Sequence, residues 1–555
     1  MKALRPALIM LSLLLLGGLS VSFTSSSQTS DSLTIEQVLS APFPENLIAA
    51  PKGERLAWTF NDQGKRNVWF VEGPEFKARQ LTQYNTDDGQ EITQLSFTPD
   101  GRYVVYVRGG DPNGAGEIPN PTSNAAPAVQ AVYAVAADTG RVKLLGEGAE
   151  PKVSTVSDQV AFIKDDQIHV VSIIGTAKPQ PLFIARGSNE SPQWSPDGKK
   201  VAFVSRRNTH SLIGVYDTIT KTIRWIAPSI DRDGFPRWSP DGRQLAFIRQ
   251  PARGLRPRPM SEDIPDPWAI FVADAATGQA KEVWRSGKGL RDSLPRYPGE
   301  NVLQWGTGAS NEDWLVFASE ADGWLRLYSM PATGGAVIAL SQGGCEIENV
   351  AISPDRRHLI YSSNCDDIDS RHLWRVAVTE GKPERAQLGA DMQWNPVFTN
   401  EGATLVYLSA SATKPASIFR TGAASWFIDP QYLFHVSDLI IPVADNSRFG
   451  QFPASQLVTP QQVIFRAEDG LEIHGQLFLP KNARPGEKLP AVVFAHGGPV
   501  RQMLLGWHYL YYYHNAYGFN QWLASKGYAV LSVNFRSGIG YGRDTAEPRC
   551  APYSL

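Results

Sequence analysis

Short apolar runs separated by turn signals fill the chain between about residues 49 and 410. Trp194-Ser195-Pro196-Asp197-Gly198 leads, after two lysines, into Val201-Ala202-Phe203-Val204. Trp238-Ser239-Pro240-Asp241-Gly242 leads into Leu245-Ala246-Phe247-Ile248. Phe97-Thr98-Pro99-Asp100-Gly101 precedes Tyr103 to Val107, and Ile352-Ser353-Pro354-Asp355 precedes Leu359-Ile360-Tyr361. Weaker copies run from Pro51 to Trp58 and Phe398 to Tyr407, and the weakest from Val153 to Ile163 and Asn311 to Ala318. In each copy an aromatic or apolar residue closes one strand. Pro then presets φ, Asp bonds its own backbone, Gly accepts positive φ, and a β-rich strand follows. Pro196 to Pro240 is 44 residues, and Pro51 to Pro99 is 48. A period in the forties built from short strands predicts propeller blades of about four strands each. Helical repeats of that length are excluded, because the units lack a 3.6-residue period. An array of β-sandwiches is the alternative. About eight starts predict an all-β propeller of seven or eight blades over residues 32–445. A Pro/Arg-rich insert, Pro251 to Pro267, interrupts it as an irregular loop.

The pattern changes after Asp445. Val463-Ile464-Phe465 is a predicted strand, Asp469-Gly470 a hairpin turn, and Leu471 to Leu479 an alternating second strand. Ala491 to Ala495 is continuously apolar, as in a buried parallel strand, and ends in His496-Gly497-Gly498-Pro499. An aromatic-rich loop from Trp507 through Tyr513 follows. Asn515 to Ser525 predicts a helix that Gly527 caps, and Tyr528 to Phe535 another buried strand. A glycine-rich turn closes the series, Arg536-Ser537-Gly538-Ile539-Gly540-Tyr541-Gly542. It lacks the Gly-Lys-Ser/Thr ending of a phosphate loop. This order is how an α/β-hydrolase domain begins, and residues 455–555 are expected to form its incomplete N-terminal part. The glycines after the third strand suit a backbone whose N–H groups face a developing oxyanion.

The propeller repeats, then Asp469-Gly470 with Leu471-Glu472-Ile473-His474-Gly475, then His496 to Pro499, then Asn534 to Gly542, together resemble the prolyl oligopeptidase family of serine peptidases. Ser319-Glu320-Ala321-Asp322-Gly323-Trp324 with Leu327-Tyr328 resembles a propeller stretch of its dipeptidyl-peptidase branch. The resemblance implies hydrolysis of short peptides, held as substrates or ligands in a cavity beside the propeller. It implies an oxyanion-loop region at His496, Gly497, Gly498 and Pro499. It also implies a family turn carrying Asn534, Arg536, Gly538, Gly540, Tyr541 and Gly542. No Gly-x-Ser-x-Gly elbow occurs in the 555 residues. The Ser-Asp-His triad is therefore expected beyond residue 555, and the chain alone is expected to be inactive. His496 is not assigned as the triad base, because hydrolases of this fold supply that histidine after the serine; an orienting or structural role stands beside a catalytic one. The competing reading is an exported propeller that binds peptides or serves as a scaffold, with a vestigial hydrolase stump. Glu320, Asp322 and Arg371 are candidates for lining the cavity, against the alternative of solvated strand ends.

Composition narrows the picture further. A net charge of −2 and 19% charged residues give no basic footprint for nucleic acid. The nine histidines are scattered without a His-x-x-x-His pair, so neither a metal nor a cofactor is expected. Lys2 and Arg5, the apolar run Ala7 to Val21 and the serine-rich stretch after it read as a signal peptide over residues 1–25. The run is shorter than the ~20 residues of a membrane span, so no stable span is expected after cleavage. An uncleaved N-terminal anchor is the alternative. The protein is expected to be exported, periplasmic or secreted, and its oligomeric state stays open. Cys345 and Cys365 bracket one predicted strand and can pair, leaving Cys550 odd; two buried free thiols are the alternative. N-terminal sequencing of the exported protein is expected to find a mature start between Ser22 and Ser27; an intact Met1 would contradict the signal peptide.

Overall fold

The computed structural model describes residues 33–252, 264–295, 302–386, 388–399, 404–421, 452–497, 501–536 and 538–543, with the backbone alone of 441–442. The leader and the Cys550 tail lie outside these residues, as does most of the Pro/Arg-rich insert. Eight four-stranded antiparallel units follow one another from Phe43 to Pro442. They span 43–80, 92–147, 149–181, 188–226, 232–285, 303–339, 347–385 and 392–442, and are numbered blades 1 to 8. The two weakest sequence copies are real blades, 3 and 6. First strands of successive blades approach one another from blade 1 to blade 6 and from blade 7 to blade 8, blades 6 and 7 share one apolar cluster, and the first strand of blade 8 lies against that of blade 1, so the ring closes. The first strands carry a recurring bulge, with Asn46, Gln94, Glu150, Ser191, Phe235 and Asn395 at positive φ. At several bulges a side chain reaches the next blade. Asn46 Nδ2 donates to the Ile92 carbonyl at 3.1 Å, and the Glu150 N–H donates to Gln94 Oε1 at 2.8 Å. At the seam, Asn395 Nδ2 donates to the Leu47 carbonyl at 3.2 Å.

The repeat's turn has one participant more than its Pro-Asp-Gly core suggests. Ser195 Oγ donates to Asp197 Oδ1 at 2.6 Å and accepts the Lys200 N–H at 2.9 Å. Asp197 Oδ1 also accepts the Lys199 N–H at 3.1 Å. Ser239–Asp241 and Ser353–Asp355 repeat this arrangement, and Thr98–Asp100 supplies it in blade 2. The hydroxyl thus fastens the turn to the strand that follows. The tryptophan ahead of the serine does more than fill a core. Trp194 Nε1 donates to the Lys152 carbonyl at 2.9 Å, and Trp238 Nε1 to that of Gln193 at 3.0 Å, each in the preceding blade.

The second sheet has the order Gln461–Arg466, Glu472–Phe478, Ala529–Asn534, Ala491–Ala495; only the last two strands are parallel. Helix α2, Tyr511–Ser525, packs on the face that carries Phe478 and Val530. It starts four residues before the predicted Asn515, so the aromatic loop contributes its first turn. The Gly527 N–H bonds the Ala524 carbonyl and the Tyr528 N–H that of Leu523, with Gly527 at φ +91°. That is the glycine C-cap the sequence predicts. Helix α1, Ile35–Val38, lies within the residues expected to belong to the propeller, yet it packs on α2. A Cβ on Gly518 would come within 2.8 Å of a Leu39 methyl and 3.1 Å of the Trp507 ring, so glycine lets the two segments approach without moving either side chain. One apolar cluster joins blades 1 and 8 to this sheet through Trp58, Trp394, Trp507, Tyr517 and Val530. No helix among the described residues is long and apolar enough to cross a membrane.

Ser195→Ala leaves the half-buried Lys200 N–H without its acceptor, and is expected to lower unfolding stability by about 1 kcal/mol in denaturant titration. An unchanged midpoint would remove the hydroxyl from the account of the turn.

Candidate active-site interface

The two glycine motifs meet. Strand Ala529–Asn534 runs into the turn at Asn534, whose side chain clamps Met503: Oδ1 accepts the Met503 N–H at 2.7 Å and Nδ2 donates to its carbonyl at 2.9 Å. Met503 lies just past the loop that His496 opens. The Ile539 N–H donates to the Arg501 carbonyl at 3.3 Å. A Cβ on Gly538 would stand 2.6 Å from that carbonyl oxygen. Gly540, at φ +95°, has Gln502 where a Cβ would go. These glycines are needed because the turn lies directly on the segment after the loop. His496 is buried and stacks on Phe535 with ring centroids 4.3 Å apart; burial pushes its pKa down, so it is neutral. Tyr513 Oη donates to the Gly497 carbonyl at 2.7 Å. Gly498 and Pro499 lie outside the described residues. Arg536 leaves the turn and pairs with Asp469 of the hairpin.

Blade 7 receives this assembly. Glu346 accepts the Gly540 N–H at 2.8 Å and the Gly542 N–H at 2.9 Å, and Asn364 Nδ2 donates to the Gly540 carbonyl at 2.6 Å. Burial raises the Glu346 pKa, partly offset by those two N–H groups. Asp369 accepts from Tyr541 Oη and Gln462 and pairs with His474 Nδ1 at 2.8 Å. Burial pushes the Asp369 carboxyl up, but the hydrogen bonds from His474, Tyr541 and Gln462 outweigh it and hold it below the usual range. The bond to Asp369 raises the His474 pKa, against burial. Arg371 is 1% exposed; it meets Glu348 Oε1 from Nε and Nη2, at 3.0 and 2.8 Å, and Gln502 Oε1 at 2.7 Å. Tyr509 Oη donates to the same Glu348 oxygen at 3.1 Å. Blade 6 adds Glu320, which pairs with Arg543 at 2.8 Å.

Of the three propeller candidates, Arg371 is at the centre of the interface and Glu320 at its rim, whereas Asp322 pairs with Arg326 inside blade 6. Glu346, Glu348, Asn364, Asp369 and Gln502 were not foreseen from the sequence, and His474 was noted only as part of the hairpin motif. The one local signal was the flanking of Cys345 and Cys365 by Glu346 and Asn364. Those cysteines form a disulfide with Cα atoms 5.0 Å apart. Among the described residues no group of three or more His, Cys, Asp or Glu side chains could hold a metal ion. What the arrangement can do chemically is hold the flanks of the His496 loop and the Asn534–Gly542 turn together beside a propeller; no activated nucleophile stands among the described groups.

Comparison with known proteins agrees with this architecture. A family defined by the N-terminal region of dipeptidyl peptidase IV matches residues 270–415. Dipeptidyl aminopeptidase BIII of Pseudoxanthomonas mexicana is 36% identical over 94 residues, 16% of this chain and 12% of that protein. A probable dipeptidyl peptidase 4 of Emericella nidulans is 24% identical over 293 residues, 51% of this chain and 35% of that protein. The matched segments thus span only a minor part of these relatives' lengths. The crystal structure of Porphyromonas gingivalis dipeptidyl peptidase 4 overlays with a TM-score of 0.62 at 14% identity, over 93% of this chain and 75% of that one. A Mycobacterium tuberculosis puromycin-hydrolyzing peptidase overlays with a TM-score of 0.55 at 17% identity, over 93% and 69%.

The interface carries a definite pH dependence. His474 has a folded pKa above its ordinary 6.5, so its stabilisation is full below that value and is lost as pH rises through the folded pKa. Glu346, raised above 4.5, also makes the folded state less favourable as pH rises and its buried carboxyl ionises. The melting temperature is expected to fall between about pH 6 and pH 9, and less steeply in His474→Gln. A melting temperature that rises over that span would contradict the assignment.

Proposed function

We propose that the chain belongs to the prolyl oligopeptidase family, on its dipeptidyl-peptidase side, and that it carries the propeller and the opening part of the catalytic domain of an exported serine peptidase acting on short peptides. The observation that carries this reading is the junction of the two glycine loops on the propeller. The loop opened by His496 and the turn from Asn534 to Gly542 are fastened to each other through Met503, and to blade 7 through Glu346 and Asp369. A backbone held this firmly suits N–H groups aimed at a developing oxyanion, which act best when they need no reorganisation during the reaction. The propeller beside it is where a peptide would be held.

The triad is the part that these 555 residues do not supply, and the sheet is consistent with a larger domain. Its face opposite α2 presents Val463, Phe465, Leu477, Leu531, Val533 and Val493, and Val493 is 68% exposed. Strand Ala491–Ala495 is an edge strand. Parallel strands are ordinarily covered on both faces, so this surface fits further strands and helices of the same domain. Export is supported by the order of residues at the N-terminus and by the Cys345–Cys365 disulfide, since such bonds persist in oxidising compartments.

A fluorophosphonate probe together with peptide p-nitroanilides tests the reading. The 555-residue chain is expected to take no label and to show no turnover, since loss of the nucleophile alone costs about 10⁶ in kcat. A protein in which the chain continues into a Gly-x-Ser-x-Gly segment is expected to take the label on that serine. Label on any serine among the 555 residues would overturn the proposal.

A further inference from the structure

We propose that the disulfide-closed hairpin of blade 7 is a positioning device for the Asn534–Gly542 turn, with Glu346 and Asn364 as its two positioning residues. The disulfide joins Cys345, immediately before Glu346, to Cys365, immediately after Asn364. It closes the ends of the two strands Ile347–Ile352 and His358–Ser363. Glu346 and Asn364 are also bonded to each other. The Glu346 N–H donates to Asn364 Oδ1 at 2.7 Å, and the Glu346 carbonyl accepts from Ser363 Oγ at 2.7 Å. The two side chains therefore project as one unit. They take the turn by complementary groups: the Glu346 carboxylate accepts two N–H groups, and the Asn364 amide donates to the carbonyl between them. Gly540 and Gly542 are both at positive φ, the conformation that lets successive N–H groups converge on one anion. The carboxylate thus fills an anion nest in the turn.

A carboxylate is held in such a nest only if its own backbone cannot drift. A strand end held solely by ladder bonds frays, and the disulfide removes that freedom at the position from which Glu346 and Asn364 extend. The bond's effect is then local to the partner segment, beyond any general stabilisation of blade 7. The device stands on geometry alone; its consequence for peptide hydrolysis rests on the peptidase reading.

Amide hydrogen exchange of the whole chain, read at Gly540 and Gly542, separates the two roles. In Glu346→Ala and in the double variant Cys345→Ala/Cys365→Ala, exchange at these glycines is expected to quicken roughly tenfold or more, while strand Ala529–Asn534 keeps its protection. Glu282→Gln, on an exposed ion pair of blade 5, serves as the control and is expected to change neither. Unchanged exchange at Gly540 and Gly542 in the double variant would overturn the proposal. So would loss of protection spread evenly over strand and turn, because the disulfide would then act on stability alone. Glu346→Ala leaves the disulfide intact, so a double variant that fails to fold does not shelter the proposal: unchanged exchange in Glu346→Ala overturns it as well. None of these readouts depends on activity, so the peptidase reading can fail without deciding them.

Discussion

A guanidinium removed from water must be matched on every side, and Arg371 sets that requirement where the two parts of the chain meet. Burial disfavours its charge, but the neighbouring Glu348 overcomes this and keeps it protonated. The match is drawn from both parts: Glu348 and the Ser370 carbonyl from the propeller, Gln502 from the segment after the His496 loop. Tyr509 completes the set at Glu348. A buried pair of this kind contributes little net stability against an apolar replacement, yet removing one partner costs ~3–5 kcal/mol. The hydrolase segment therefore has few orientations on blade 7 that leave no charge stranded. Gln502, fixed by Arg371, also occupies the space that only a glycine at 540 leaves open. The charge requirement in the propeller reaches the backbone of the turn in two steps.

Apolar packing works alongside this network. Trp507 is fully buried, its backbone N–H donates to the Ser411 carbonyl of blade 8, and its ring lies 5.2 Å from that of Tyr517 in α2. His508 and His514 sit in the same region, each pushed down to about 3 by burial, so both are neutral members of the packing. The first turn of α2 touches the start of blade 1, where Phe43 meets Tyr511 and His514. The segment thus rests on the seam where blade 8 closes onto blade 1. A segment held there ties the ring's two ends through a third body.

What was legible in the sequence is what neighbouring residues decide. The Ser-Pro-Asp-Gly turns announce the blades because every partner lies within five residues. Strand Ala491–Ala495 was legible as a parallel strand from its unbroken apolar run, but it lies exposed at the sheet edge and not buried; the cap at Gly527 was legible as a glycine after a helical pattern. The first turn of α2 was not. Leu510 offers no capping side chain and Tyr511 to Tyr513 are mediocre helix formers, so burial of Tyr513 and His514 overrides propensity. The interface was the least legible part. His474 and Asp369 are 105 residues apart, and Glu346 and Gly540 are 194 apart. No periodicity relates such pairs; Glu346 and Asp369 look locally like charges beside a strand end, and His474 and Gly540 like an ordinary strand residue and an ordinary turn glycine. Cys345 and Cys365 could be suspected of pairing, but the 5.0 Å between their Cα atoms exists only once the hairpin is folded.

The contacts of residues 455–543 with Arg371, Glu346 and the seam of blades 1 and 8 predict that this segment keeps its fold only on the propeller. Differential scanning calorimetry of the chain, with limited proteolysis along the same temperature ramp, tests it most directly. One cooperative transition is expected, with cleavage in residues 455–543 appearing only as the propeller melts. Two separate transitions, or early release of residues 455–543 from an intact propeller, would contradict it.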